Sequence, residues 1–248
     1  MRGGVHAAAA RGFARSADAY ERARPEYPPA AIAWLAQRIG LGPGRRVVDL
    51  AAGTGKLTRP LAATGAEVVA VEPVAEMRAR IGPSAAEALD GTAEAIPLAP
   101  ASADALTVGQ AFHWFDGAAA LAEIHRVLRP GGALALVWNR RPLDDPVHAA
   151  IEAIVAPHRR EAPAHQSGAW RTGLDATTLF GPLDERTFEH AQDMDADALA
   201  DRVASTSVVD ALADEPRAEV LAAVRALAGD GRIRLPYVCE VFACDRRP

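Results

Sequence analysis

The chain has 248 residues, half of them hydrophobic and 24% charged, with 27 Lys+Arg against 32 Asp+Glu and a formal net charge of −5. Its length suffices to bury roughly 70–75% of the surface that the unfolded chain exposes, which excludes global disorder. A single lysine, Lys56, and arginines scattered in pairs form no basic cluster of the kind that phosphate-backbone binding requires, so nucleic acid is not an expected partner.

In chain order, the first sixteen residues contain a four-alanine run too short and too weakly apolar for a signal sequence. No stretch approaches 18 consecutive apolar residues, and a cytoplasmic protein without a membrane partner is expected. A helix opens at Pro28-Pro29, presents Ile32, Leu35 and Ile39 on one face, and closes near Gly40. Four short apolar runs follow: Val47–Leu50, Val68–Val71, Ala105–Val108 and Ala133–Trp138. They are nearly continuous and lack strict alternation, as strands covered on both faces of a parallel sheet require. Leu57 and Leu61 mark a helix after the first run, and Leu121, Ile124 and Leu128 one before the last. This alternation predicts an α/β fold with an open, doubly wound sheet.

From 141 to about 175 a short helical pattern dissolves into Pro, Gly and His, which reads as a surface connection or a lid. Beyond it the pattern predicts a strand over 186–190, helices over 197–205 and 217–228, and a last strand over 233–244. Cys239 and Cys244 on that strand would stand about 16 Å apart on opposite faces and cannot pair with each other. No His or Cys cluster has metal-ligand spacing, and no metal is expected.

The sharpest chemical signal is the run from Val47 to Thr58, a strand that enters a helix through a turn containing Gly53 and Gly55. Glycines there allow a tight turn and close approach of a ligand to the backbone. Glu72 closes the second strand 19 residues after Gly53, where a carboxylate can accept both hydrogen bonds of a ribose diol. Charge then discriminates between nucleosides. Asp49, just inside the turn, would repel the pyrophosphate of a dinucleotide, whereas it favours the ammonium and sulfonium of S-adenosylmethionine. A Walker A loop fails because Leu57 follows Lys56 where Ser or Thr should bind magnesium.

Several separate motifs over residues 13 to 140 resemble the class I S-adenosylmethionine-dependent methyltransferases, in particular the small-molecule branch of the trans-aconitate and ubiquinone/menaquinone-type enzymes. The resemblance implies a Rossmann-like, mostly parallel sheet with an antiparallel C-terminal strand. It implies one methyltransferase domain over 1–248, with residues 1–28 covering the cofactor and residues 141–232 forming a substrate-side cap before the last strand. Tyr20 and Arg24 would face the methionine end of the cofactor, Asp49, Ala51, Gly53 and Gly55 would form the first motif, and Glu72 with Pro73 would hold the ribose. Met77 would line the adenine, Ala93 would offer backbone and Glu94 its side chain to the base edge, and Gln110 and Ala111 would follow the fourth strand. One departure stands out. Ala51 occupies the place where the family commonly has the first glycine, and would be strained there if that position needs a positive φ.

The implied reaction is in-line methyl transfer to a small molecule at oxygen, nitrogen or carbon, a carboxylate included, with S-adenosylhomocysteine as product. His113, just past the fourth strand, is the candidate base or else a pocket wall. Arg140, Arg141 and Arg171 are candidates for clamping an acceptor carboxylate, although each alone reads as surface charge. The alternative is a catalytically silent S-adenosylmethionine-binding protein with a regulatory or non-methylating role. Neither acceptor identity nor oligomeric state follows from the sequence.

Overall fold

A computed structural model describes residues 23–159, 167–229 and 231–248. Seven strands form one sheet: β1 (Arg46–Leu50), β2 (Glu67–Val71), β3 (Glu87–Leu89), β4 (Ala103–Gly109), β5 (Leu128–Arg140), β6 (Asp184–Met194) and β7 (Ile233–Asp245). Their order is β3-β2-β1-β4-β5-β7-β6. The first five run parallel, and β7 joins β5 antiparallel before β6 closes the edge, also antiparallel. The four apolar runs are therefore the four strands β1, β2, β4 and β5, and the predicted fold class holds.

The helices are α1 (Pro29–Arg38), α2 (Thr58–Ala62), α3 (Ala75–Arg78), α4 (Gly117–Val127), α5 (Pro146–Val155), α6 (Arg171–Ala176), α7 (Ala196–Ala204), α8 (Ser207–Asp210) and α9 (Asp214–Ala228). Strand side chains alternate between two apolar layers. Val47, Val68, Ala105 and Val137 pack beneath Ile32, Leu35 and Leu61, while Val48, Val71, Leu106 and Leu136 pack beneath Leu121, Ile124 and Val127. A third cluster joins α5, α7 and α9 to the far ends of β6 and β7 through Ile151, Leu199, Val203, Val224 and Tyr237. No helix among the described residues is long and apolar enough to cross a membrane.

Two of the differences from the sequence reading concern Leu128 and β3. Leu128 does not continue the Leu121/Ile124 helical stripe: α4 ends at Val127, and Leu128 turns extended at φ −68° and ψ 138° to begin β5. Its apolar side chain is buried in either conformation, so periodicity alone does not separate them. Strand β3 is absent from the reading because three residues at an edge, two of them exposed, carry no pattern.

After β1 the chain builds outward through β2 and β3, then returns to place β4 on the other side of β1. The order reverses between β1 and β4, and at that switch point the carboxyl ends of the strands leave a crevice. At the opposite, amino-terminal edge of the sheet, Arg126 clasps the loop that leads into β4. Its Nε and Nη2 donate to Glu123, and Nη1 and Nη2 donate to the carbonyls of Leu98 and Ile96 at 2.7 and 2.9 Å. Replacing it by methionine orphans two carbonyls, and for this partly exposed cluster Arg126→Met is expected to lower stability by about 1–3 kcal/mol. Urea denaturation should show a lower midpoint with an unchanged slope.

Candidate active site

The crevice at the β1/β4 switch is lined by Asp49, the turn residues Ala51 to Thr54, Lys56 and Leu57, together with Gly109, Gln110 and Asn139 from the ends of β4 and β5. Arg24, Pro25 and Tyr27, just ahead of α1, and Arg202 of α7 complete the wall. Of the residues singled out from sequence, Arg24, Asp49, Ala51, Gly53 and Gln110 meet there. The turn is left-handed three times over, at Ala51 (φ 55°), Gly53 (φ 58°) and Gly55 (φ 86°), and Gln110 after β4 adopts φ 61°. Two of these are not glycine, so the backbone is strained on both sides of the crevice.

Asp49 is buried beneath the turn. It accepts hydrogen bonds from the Thr58 hydroxyl at 2.6 Å and the Thr107 hydroxyl at 3.4 Å. Burial pushes its carboxyl up to about 7; the two hydroxyls pull it back, and the charge of Glu72 adds to the rise. Because the folded value lies above the unfolded one, Asp49 contributes stability that is fully present below about pH 4 and lost as pH rises through about 7. Glu72, also buried, accepts from the Gly53 amide at 2.8 Å through Oε2 and from the Val74 amide at 2.9 Å through Oε1. Burial raises its pKa while these amides oppose the rise. Each oxygen keeps a second lone pair for a further donor.

The remaining sequence candidates lie outside the crevice wall. Gly55 ends the turn, and Glu72 borders the crevice through Gly53. Met77 and Ala93 are buried in the apolar interior, Pro73 and Ala111 are half-buried, and Glu94 accepts the Asp116 amide at 3.1 Å. His113 Nδ1 lies 3.4 Å from the Trp138 indole N–H, which can only donate. The neutral imidazole therefore carries its proton on Nε2. Tyr20 falls outside the described residues. Among the described residues no group of three or more His, Cys, Asp or Glu could hold a metal ion.

Asn139, Lys56 and Arg202 are among the wall residues that the sequence reading did not single out. Asn139 donates from Nδ2 to the carbonyls of Pro25 and Glu26 at 3.3 and 3.2 Å, and its Oδ1 lies 2.9 Å from His190 Nε2. Its place at the end of an apolar strand run was a usable signal. Lys56 pairs with Glu26 at 2.5 Å. Arg202 left no signal, since an arginine within an amphipathic helix reads as solvated surface. The arginines considered for an acceptor clamp are instead engaged with protein carboxylates: Arg140 with Glu240 at 2.6 Å, Arg171 with Glu185 at 2.9 Å and Arg141 with Glu152 at 3.8 Å.

Comparison with known proteins agrees with this geometry. The methyltransferase domain family matches residues 48–136, from β1 into β5. An uncharacterized methyltransferase of Mycobacterium tuberculosis is 41% identical over 237 residues, covering 91% of this chain and 92% of that protein. A ubiquinone/menaquinone biosynthesis C-methyltransferase of Rubrivivax gelatinosus is 45% identical over only 94 residues, 36% of this chain and 37% of that one, so likeness to that branch is partial. Among solved structures, a protein of Anaeromyxobacter dehalogenans provisionally designated a type II methyltransferase superimposes with a TM-score of 0.69 at 28% identity, covering 89% of this chain and 97% of the other.

The strain at Ala51 is directly testable. A left-handed conformation costs an L-residue about 1–2 kcal/mol, and the extra unfolded-state freedom of glycine returns about half of that. Ala51→Gly is therefore expected to stabilise the protein by about 0.5–1 kcal/mol, a rise of about 1–4 °C in Tm by calorimetry.

Proposed function

The chain belongs to the class I S-adenosylmethionine-dependent methyltransferases, and from that premise we propose that it binds S-adenosylmethionine at the β1/β4 crevice and methylates a small molecule. One observation carries the reading: a left-handed turn, open to a ligand, lies directly above a buried carboxylate. A Cβ placed on Gly53 would meet no atom within 4 Å, so the backbone there can be approached closely. Asp49 suits the cationic methionine end, and the two free lone pairs of Glu72 suit the ribose diol. In this reading Pro73 adjoins the ribose beside Glu72, and Met77, Ala93 and Glu94 serve the adenine. Gly55, Gln110 and Ala111 shape the backbone around the ligand.

S-adenosylmethionine supplies an electrophilic methyl group on a sulfonium whose departure needs no proton. The protein's task is then alignment and exclusion of water. In this reading Arg24 and its described neighbours up to residue 28 cover the cofactor, and the described part of the region 141–232 bounds the acceptor. His113 stands outside the crevice lining and its Nδ1, the acceptor of the neutral ring, faces the Trp138 indole N–H, so in this reading it is not the base. The acceptor is a small molecule, and its methylated atom follows from assay. Incubation with S-adenosylmethionine and a metabolite library should yield S-adenosylhomocysteine with at least one acceptor. Tight cofactor binding without turnover on any of them would favour a silent binding protein.

Two variants test the cofactor contacts by calorimetry. Glu72→Ala removes a buried charged acceptor and is expected to weaken S-adenosylmethionine by about 2–4 kcal/mol. Unchanged affinity would take Glu72 out of the site. A cation beside Asp49 requires its ionised form, so affinity for S-adenosylmethionine should fall as pH drops below about 7, by up to about tenfold per unit, and Asp49→Asn should flatten this dependence. Adenosine, which lacks the cations, should bind with little dependence on either.

A further inference from the structure

We infer that the acceptor carries an oxyanion, held by the guanidinium of Arg202 at the α7 side of the crevice; this rests on the methyltransferase reading of that crevice. Arg202 is only 6% exposed, yet it belongs to the crevice wall. Its Nε donates to the Tyr237 hydroxyl at 3.1 Å, and the guanidinium carbon lies 5.8 Å from the centre of that ring. Nη1 and Nη2 have no hydrogen-bond partner among the described residues and are not fully buried, and no ion pair joins Arg202 to a carboxylate among the described residues. A guanidinium held out of water without a counter-charge is costly, and an anionic ligand removes that cost. With Nε fixed on Tyr237, the two terminal nitrogens form the edge that takes two oxygens of one carboxylate or phosphate.

The neighbourhood adds positive charge. Arg24, on the same wall, donates to the carbonyl and hydroxyl of Ser205 at 2.8 and 3.2 Å, one turn of chain beyond Arg202. Arg141 feels Arg202: burial and then the charge of Arg202 lower its pKa, and its partner Glu152 is shared with Arg159. Asp49 lines another part of the same wall. A cationic cofactor end and an anionic acceptor would thus each meet its opposite charge in one crevice.

The full chain is titrated by calorimetry at constant ionic strength, first with S-adenosylhomocysteine, then, saturated with it, with citrate and with inorganic phosphate. At least one oxyanion should bind the wild type, and Arg202→Met should weaken it about tenfold or more while S-adenosylhomocysteine stays within about twofold. Citrate alone would mark a carboxylate site, and phosphate alone a phosphate site. Should Arg202→Met fail to fold, Tyr237→Phe, which removes only the oxygen orienting Nε, should weaken the oxyanion about threefold or more with the nucleoside unaffected. The proposal is overturned if neither oxyanion binds, if the variant binds it as the wild type does, or if the variant loses S-adenosylhomocysteine in proportion, since Arg202 would then hold the carboxylate of the cofactor. Failure of the wild type to bind S-adenosylhomocysteine would instead defeat the cofactor reading itself.

Discussion

The carboxylate of Glu72 joins two strand ends into one wall. It closes β2, yet one oxygen takes the amide of Gly53 from the β1 turn and the other the amide of Val74 on its own exit. A nearly buried carboxylate without such donors would be costly, and the donors in turn would be orphaned without it. This mutual dependence sets the path of the turn, which must pass through left-handed φ at residues 51, 53 and 55. Ala51 is held in an unfavourable conformation by a constraint that lies 21 residues further along the chain. Asp49 is buried beneath the same turn, at the floor of the crevice, and its elevated proton affinity follows from that burial.

The opposite side of the crevice is fastened by contacts distant in sequence. Asn139 reaches from β5 to the carbonyls of Pro25 and Glu26, Lys56 pairs with Glu26, and Arg24 grips Ser205. The Tyr27 hydroxyl lies where a Cβ on Gly109 would come within 2.6 Å, so β4 must end in glycine for the tyrosine to lie across it. The residues ahead of α1 therefore tie the turn after β1 and the end of β5 to the helices packed on β6 and β7.

Much of this architecture was legible because it rests on short-range patterns. Strands buried on both faces appear as unbroken apolar runs, and the glycine turn with an acid at the next strand end is a local spacing. Asp116 caps α4 by accepting the Ala119 amide, a contact between residues only three apart. What stayed hidden depends on tertiary register. Strand β3 draws its identity from pairing with β2 and not from its own three residues. Glu94 is aimed at the Asp116 amide by a meeting of loops 22 residues apart. Arg202 gains its meaning only because β7 brings Tyr237 beneath α7, a contact between residues 35 apart. No helical periodicity distinguishes an arginine that points into a crevice from one that points into water.

The antiparallel return of β7 has a consequence for the two cysteines. Cys239 lies in the apolar layer with α1, whereas Cys244 lies in the layer with α4, and burial pushes each thiol up to about 12. Neither is nucleophilic at neutral pH while the sheet is intact. Each sulfur is therefore a clock for its own side of the molecule. The rate at which a thiol reagent labels Cys239 measures how often the α1 layer lifts away, and the rate at Cys244 measures the same for the α4 layer. One strand thus reports separately on the opening of two cores that share it.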